Sequence, residues 1–464
     1  MNFVNGKINK MNLEHFVIHS TAPIIEALKK IDFNHKGFIL IHNEDFEIIG
    51  IATDGDIRRR LLLDPDVNEK IEKCVNKNFV KASKETPRET LLKQLDTNIR
   101  VIPVLDIDNK LISIVTKDYF PELTEKKVFA RAKSPVRISF GGGGSDTSTY
   151  FSENKAAVIN ATISLYSHST LIIREDSKIV IHSLDLNDQI EFSDLNELLS
   201  YEGKFALIQS AIKAVKPNFG FELYVHSDFP MSSGLGGSAV VTSSILGCFN
   251  QFRNDKWDKY DISEIAYQSE RLHLGVAGGW QDQYATVFGG LNFMEFNKEQ
   301  NIINPIRLNS DIILELEESL ILCYTGTIHD SGVIHNDQKE QTRNEDVKYR
   351  IQSNVDLTYE MRNHLLKGRL TDFGYCLHKA WELKRSFSSK ISNSFLDDIY
   401  NGAIQHGAIG GKLLGAGGGG YFLFYVPSFD RHKLMNWIKS KGLFATPFIF
   451  ENNGLQSWTV RENK

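Results

Sequence analysis

No run of about 18 consecutive apolar residues occurs in this chain, so a membrane-crossing helix is not expected. Cysteine is scarce. The four present, Cys74, Cys248, Cys323 and Cys376, lie far apart and form no CxxC pair, which argues against a zinc ribbon, a redox dithiol or a disulfide scaffold. Neither sign of charge dominates: 53 Lys plus Arg against 58 Asp plus Glu leave −5. That balance lacks the basic surplus that accompanies duplex nucleic acid or anionic membrane partners, although a local basic pocket for phosphates stays compatible with it. The opening MNFVNGKINKMN has no apolar core, so no signal peptide is expected and the compartment reads as cytoplasmic and reducing.

What is present is the composition of a globular protein. Hydrophobic residues make up 41% and charged residues 24% of 464, a length that suggests about three compact units. The first 120 residues contain a duplication without gaps: Phe38 of FILI matches Val101 of VIPV, and Thr53 of IIGIATDGD matches Thr116 of LISIVTKDY, at an offset of 63. Each copy reads as an amphipathic helix, an apolar strand, an Asn/Asp turn, a second apolar strand and a polar helix start. One copy alone has too few apolar residues for a core, so the two are expected to pack together.

The duplication resembles a CBS-domain pair, a module that often binds adenine nucleotides between its halves. The resemblance implies that Thr53 and Asp56 hold ribose hydroxyls in the first copy. The second copy departs from the pattern, with Tyr119 where Asp56 has its counterpart. A pair that only packs or dimerises is the alternative, and self-association into a homo-oligomer is compatible with either. The charged run PELTEKKV marks the end of this region. It gives a CBS pair over 1–124, a linker over 125–130, and a strand-like opening to a new domain after that.

Three glycine clusters carry the chemistry of the remainder. Gly141 to Gly144 with Ser145 and Asp146 come directly after RISF. A glycine run lets the backbone approach a ligand closely, and the carboxylate can grip sugar hydroxyls; a tight turn with Asp146 as a helix N-cap is the alternative. The second cluster, PMSSGLGGSA, lies between a strand-like and a helix-like segment. Free N–H groups and a helix dipole at such a junction bind phosphate. It lacks the Gly-Lys-Ser/Thr of a Walker A loop. The acidic strand end that a dinucleotide fold needs about 20 residues on is also missing, because RNDKWDKYDIS is polar and turn-like. The third cluster, KLLGAGGGGYFLFYV, runs into a β-prone stretch rather than a helix, so it reads as a turn beside a substrate, with Gly417 and Gly418 nearest to it. A strained structural turn is the alternative there.

Between the second and third clusters, Glu270 and Asp282 stand twelve positions apart around Gly278 and Gly279. Phosphoryl transfer uses one carboxylate for Mg²⁺ and another to orient or deprotonate the attacking hydroxyl. The bland alternative pairs Glu270 with Arg271 on a solvated face and makes Asp282 a cap. His329 and His335 read as loop histidines rather than as metal ligands.

In order and spacing, SPVRISFGGGGSD, PMSSGLGGSA and KLLGAGGGGY, with GGWQDQ between the last two, resemble the GHMP kinases, named for galactokinase, homoserine kinase, mevalonate kinase and phosphomevalonate kinase. The resemblance covers about Ala130 to Lys464. It implies an α/β (α+β) chain: a GHMP kinase fold with an α/β N-terminal half over 131–300 and a ferredoxin-like C-terminal half over 301–464. It also implies ATP and Mg²⁺, and a set of roles. Asp282 would be the base or hydroxyl orienter, and Arg137 would lie near the transferred phosphoryl group. Ser232, Ser233, Gly234, Leu235, Gly236, Gly237 and Ser238 would wrap the ATP phosphates, with Ser238 and Glu270 on the metal. Gly143, Gly144, Ser145 and Asp146 would hold the sugar. Gly237 stands where the family usually has a serine, which removes one hydroxyl.

Within that family, PVRISFGGGGSD, GGWQDQYATVFGG and AWELKRSFSSKISN resemble the kinases of phosphorylated heptose, with L-fucose kinases second. The first likeness implies phosphorylation of the anomeric hydroxyl of D-glycero-D-manno-heptose 7-phosphate, for nucleotide-activated heptose and surface polysaccharide. A 7-phosphate needs an anion pocket, for which Lys384, Arg385, Ser388 and Ser389 are the candidates; a solvated helix face is the alternative. A nucleotide-sensing regulator with dead chemistry is the reading from another class. It fits poorly with the presence of Asp282, Glu270 and Ser238 together.

Overall fold

The structure is a computed structural model that describes residues 12–96, 99–121, 126–327, 334, 337 and 344–463. His329, His335 and residue 125 of the expected linker lie outside the described residues. The chain divides into two compact units at Lys127/Val128.

In the first unit the helix Ile24–Asn34 buries Ile24, Ala27 and Ile31, one face at helical spacing. It stops where His35 turns left-handed (φ 54°) and returns its N–H to Ile31 O. The strands Val17–His19, Phe38–His42 and Ile48–Thr53 form one three-stranded sheet. Ala82–Ser83, Val101–Leu105 and Leu111–Thr116 form another. The duplication extends to detail: the register shift between Ile41 and His42 recurs between Val104 and Leu105. Glu47 bridges its own counterpart, Lys110. A shared cluster holds Phe38, Leu40, Ile48 and Ile51 of the first copy with Val101, Leu105 and Ile114 of the second. Neither copy encloses that cluster alone.

The second unit begins within the strand Lys126–Gly141, so residues 126–130, expected as linker, already belong to a strand. Apolar residues at Val136, Ile138 and Phe140 alternate into the core, and Pro135 sits at a register shift, where a missing N–H does least harm. This strand and the long Ala156–Ile173 anchor an eight-stranded sheet. The buried helix Gly237–Gln251 packs against it through small residues: Ser244 Oγ lies 2.7 Å from Ser169 Oγ. The boundary expected at 300/301 does not separate the sheets. Asn301–Pro305 pairs with Leu291–Phe296 as an edge hairpin, and the terminal strand Gln456–Asn463 returns to pair with Lys126–Gly141.

The C-terminal half is a four-stranded antiparallel sheet in the order Gly410–Leu413, Tyr421–Tyr425, Leu320–Tyr324, Phe444–Thr446. The helices Glu345–Leu366, Leu370–Arg385, Ser394–Gln405 and Ser428–Ser440 accompany it. That strand order is ferredoxin-like, and the unit as a whole is α+β. One core spans both halves, with Phe140 edge-on to Phe373 at 5.2 Å between ring centres. The second and third glycine clusters meet backbone to backbone. A Cβ on Gly415 would stand 2.5 Å from Gly234 Cα, and Tyr421 N donates to Ser233 O at 3.1 Å.

Candidate active site

The loop Ser232–Gly236 opens the helix Gly237–Gln251, whose first N–H groups have no partner within the helix. The loop reaches its shape through left-handed backbone at Ser232, Gly234 and Gly236 (φ 56°, 79° and 79°). Ser232 to Gly234 and Gly236 to Ser238 line a cavity of about 700 Å³ whose apolar wall includes Leu186, Leu207, Ile208, Val225 and Phe229. This volume lies within the range of small-molecule and cofactor sites. Ser233 Oγ is buried beside it without a hydrogen-bond partner among the described residues.

The floor of the cavity is an ion pair. Arg137, from the first strand, donates Nε–H to Asp282 Oδ1 and Nη2–H to Asp282 Oδ2, each at 2.8 Å, and Nη1–H to Gly234 O at 2.7 Å. The forked geometry matches guanidinium to carboxylate and fixes both rotamers. Asp282 sits in the first turn of Gln281–Phe288 but caps nothing, because the N-cap position is Trp280. Glu270 is not on a solvated face. It is 2% exposed, in the π-helical turn Ser269–His273. It accepts from Ser238 Oγ at 2.5 Å and from Gln283 Nε2 at 2.7 Å. Burial raises its pKa above the ordinary carboxylate value, against the lowering influence of Arg271 and its hydrogen bonds.

A second cavity of about 60 Å³ adjoins the first, and Arg137, Arg271, Asp282 and Gly415 line both. Gly143, Gly144 and Asp146 form one side. Asp146 is not an N-cap, since Thr147 holds that position before Ser148–Phe151. Its carboxylate accepts from Gly144 N (3.1 Å) and Gln281 N (3.2 Å), and burial, helped by the Asp282 charge, raises its pKa. Gly279 is what lets the turn come so close: a Cβ there would fall 1.8 Å from Asp146 Oδ2. Across the cavity stand two buried lysines. Lys384 donates to the carbonyls of Leu413 (3.2 Å) and Gly415, and Lys412 to that of Phe140 (3.3 Å). Burial, then the Arg137 charge, lowers the Lys384 pKa to about 7; burial, then Lys384, pushes Lys412 well below its ordinary value. Ser139 Oγ and Gln281 Oε1 also line this cavity and lack partners among the described residues.

Several residues expected at the site do not reach it. Arg385 turns away to Glu382 (3.4 Å) and Asp397 (3.6 Å), because one helical step beyond Lys384 rotates a side chain by about 100°. Ser388 donates to Asp337, and Ser389 is exposed. Gly417 and Gly418 pack on Ile391, with Gly418 N donating to Ile391 O at 2.9 Å; Gly415 and Ala416 line the cavity instead. Ser145 turns its hydroxyl to Gly142 O (2.7 Å), and Leu235 is core, with its carbonyl accepting from Arg137 N. In the first unit Thr53 and Asp56 form a capping box on the helix Asp54–Leu63, so their polar atoms bond to each other. Missed were Arg271, Gln283, Ser139 and Lys412. Lys412 carried a usable signal, a lone charge inside the apolar run GGKLLGAG.

A glycine-rich loop opening a helix, paired carboxylates and a ferredoxin-like half define one class of protein: the chain belongs to the GHMP kinase family and is a sugar kinase. Its residues 206–290 match the GHMP kinases N terminal domain and 361–433 the GHMP kinases C terminal domain, while 6–63 and 71–120 each match the CBS domain. The D-glycero-alpha-D-manno-heptose 7-phosphate kinase of Campylobacter jejuni is 34% identical over 336 residues, 71% of this chain and 99% of that protein. The L-fucokinase/L-fucose-1-P guanylyltransferase of Bacteroides fragilis is 27% identical over 320 residues, 62% of this chain and 34% of that longer protein. The crystal structure of a D-glycero-D-manno-heptose 1-phosphate kinase from Bacteroides thetaiotaomicron superposes with a TM-score of 0.60 at 28% identity, covering 71% of this chain and 99% of that one.

Two outcomes are expected from this geometry. Gly279→Ala forces Asp146 off its position, so steady-state kinetics are expected to show a sugar KM raised about tenfold or more, with the ATP KM little changed. Lys412 is neutral when folded and protonated when unfolded between its lowered pKa and about 10.4. The unfolded state then binds the extra proton, and native stability rises with pH across that window. Lys412→Met removes this dependence. Melting curves of the ligand-free protein should show the variant's advantage over the parent greatest at low pH and shrinking toward about pH 10.

Proposed function

We propose that the protein transfers the γ-phosphoryl group of ATP to the anomeric hydroxyl of D-glycero-D-manno-heptose 7-phosphate, giving the 1,7-bisphosphate used to make nucleotide-activated heptose for surface polysaccharide. One observation carries the reading. A nucleotide-sized cavity with an apolar wall and a glycine loop meets a small polar one at Arg137 and Asp282. The adenosine occupies the former, the loop N–H groups face the phosphates, and the sugar hydroxyl lies against Asp282. The hydroxyl proton passes to that carboxylate as oxygen attacks the γ-phosphorus and the bond to ADP breaks; alignment and charge stabilisation lower the barrier without a covalent enzyme intermediate.

The small cavity favours an anionic acceptor. Arg137, Arg271, Lys384 and Lys412 line it against Asp146 and Asp282; burial holds both lysines toward the neutral form, and an anionic acceptor beside them would supply the counter-charge that returns their protons. L-fucose is the second reading, favoured by the likeness to the Bacteroides fragilis fucokinase.

A divalent cation fits the Ser238–Glu270 pair: a hydroxyl and a carboxylate 2.5 Å apart are hard oxygen donors that suit Mg²⁺. Mg²⁺ is commonly held by one or two carboxylates together with substrate phosphates and water, so two protein oxygens suffice here. Bound there, Mg²⁺ would neutralise phosphate charge, while Gln283 holds the other Glu270 oxygen in place. In the first unit, an adenine nucleotide is proposed for the first repeat alone, where Thr53 and Asp56 stand; Tyr119 replaces the acid in the second.

The test incubates the protein with ATP, Mg²⁺ and, separately, heptose 7-phosphate, free heptose, L-fucose and D-galactose, following ADP release and the ³¹P spectrum of the product. Turnover is expected with heptose 7-phosphate, with the new phosphorus on the anomeric oxygen; preference for L-fucose would replace this substrate with the second reading. Asp282→Asn should lower kcat by about 10²- to 10⁴-fold while nucleotide affinity survives, and unchanged turnover would remove Asp282 from its role.

A further inference from the structure

Of the two guanidinium groups at the junction of the cavities, Arg137 is already neutralised. Asp282 takes its Nε–H and Nη2–H bidentately, and Gly234 O takes an Nη1–H. Arg271 is arranged differently. Its Nη1 donates to Val276 O and its Nη2 to Gly279 O, each at 3.1 Å. Among the described residues no carboxylate forks onto it: Glu270 Oε2 is 3.5 Å from Nη1, and that oxygen already accepts from Ser238. Arg271 Nε is buried and has no partner among the described residues.

The group is also rigid. The guanidinium lies over the Tyr267 ring at 5.2 Å, and Tyr267 stacks on Trp280 at 3.7 Å. Its Nη2 fills the space a Cβ on Gly278 would need, at 2.3 Å. A planar cation clamped on one face by an aromatic ring, lining both cavities, and without a forked carboxylate partner, is preorganised for charge that forms at the junction.

We propose that Arg271 is a catalytic residue of this kinase, donating to the γ-phosphoryl oxygens as the group crosses from ADP to the sugar hydroxyl, while Arg137 serves chiefly to hold Asp282. In that step the bond between γ-phosphorus and the ADP oxygen breaks with its electron pair left on ADP. The sugar oxygen bonds to phosphorus, and its proton goes to Asp282. Arg271 changes no bond; it stabilises the charge on the three transferring oxygens. The proposal rests on the two-cavity reading of the site and not on the identity of the sugar.

The rival role is a brace: by holding Val276 O and Gly279 O, Arg271 would merely shape the turn that faces Asp146. Binding of ADP, alone and with Mg²⁺ and aluminium fluoride as a mimic of the transferring group, separates the two without any sugar. For the parent, fluoride should tighten ADP binding. For Arg271→Ala, ADP alone should bind within about threefold of the parent, and the tightening should be lost. With whichever sugar the panel shows to be turned over, kcat should fall about 10²- to 10³-fold, with the ATP KM little changed. Millimolar guanidinium ion should restore part of the rate to Arg271→Ala and none to Asp282→Asn. Arg271→Lys should fall between, since a point charge replaces the fork. If Arg271→Ala does not fold, Arg271→Lys and Arg271→Met carry the same comparison. Retention of kcat within about threefold would overturn the proposal. So would parallel loss of ADP affinity, melting temperature and rate without rescue, the signature of a brace.

Discussion

Two glycine-rich loops touching through their backbones hold this site together. Gly415 and Gly234 approach so closely that neither has room for a side chain, and Tyr421 N closes the contact on Ser233 O. That contact sets the Ser232–Gly236 loop of one half against the turn of the other, with a common apolar core behind it. The forked Arg137–Asp282 pair then spans the same junction: Arg137 also grips Gly234 O, so the Asp282 carboxylate is registered to the loop itself.

The charges obey a common logic. Each buried carboxylate has backbone N–H groups, a hydroxyl, an amide or a guanidinium on it, as the expense of burying charge demands. The lysines differ: among the described residues their hydrogen-bond partners are carbonyl oxygens, so burial drives them toward the neutral form. An anionic ligand would reverse that tendency by returning a counter-charge. Among the described residues, Ser139 Oγ and Gln281 Oε1 in the same cavity also lack hydrogen-bond partners, which leaves two further polar atoms open to a ligand.

The N-terminal unit shows how far a repeat constrains a structure. Strands, turn and register shift recur at one offset, and counterparts bridge each other at Glu47 and Lys110. Its polar signature is less independent. Thr53 and Asp56 satisfy each other as a helix cap, so the same two residues serve local structure whether or not a nucleotide joins them. A Thr-x-x-Asp pattern at a strand–helix junction cannot distinguish these uses, because both need the same hydroxyl and carboxylate at the same spacing.

By itself the sequence determined the repeat, the order of the three glycine clusters and the identity of Asp282, Glu270, Ser238 and Asp146 as the groups to watch. These depend on short-range requirements, the backbone of a turn or the start of a helix, which a few neighbouring residues express. It could not show that Lys384 would turn inward and Arg385 outward, that Gly415 rather than Gly417 would line the cleft, or where the halves divide. Nor could it pair Arg137 with Asp282 across 145 positions, leaving Arg271 without a forked partner. Those outcomes are settled by which face of each element is buried and by what charge lies across the cleft. Both are properties of packed sheets and helices, and no local stretch of chain contains them.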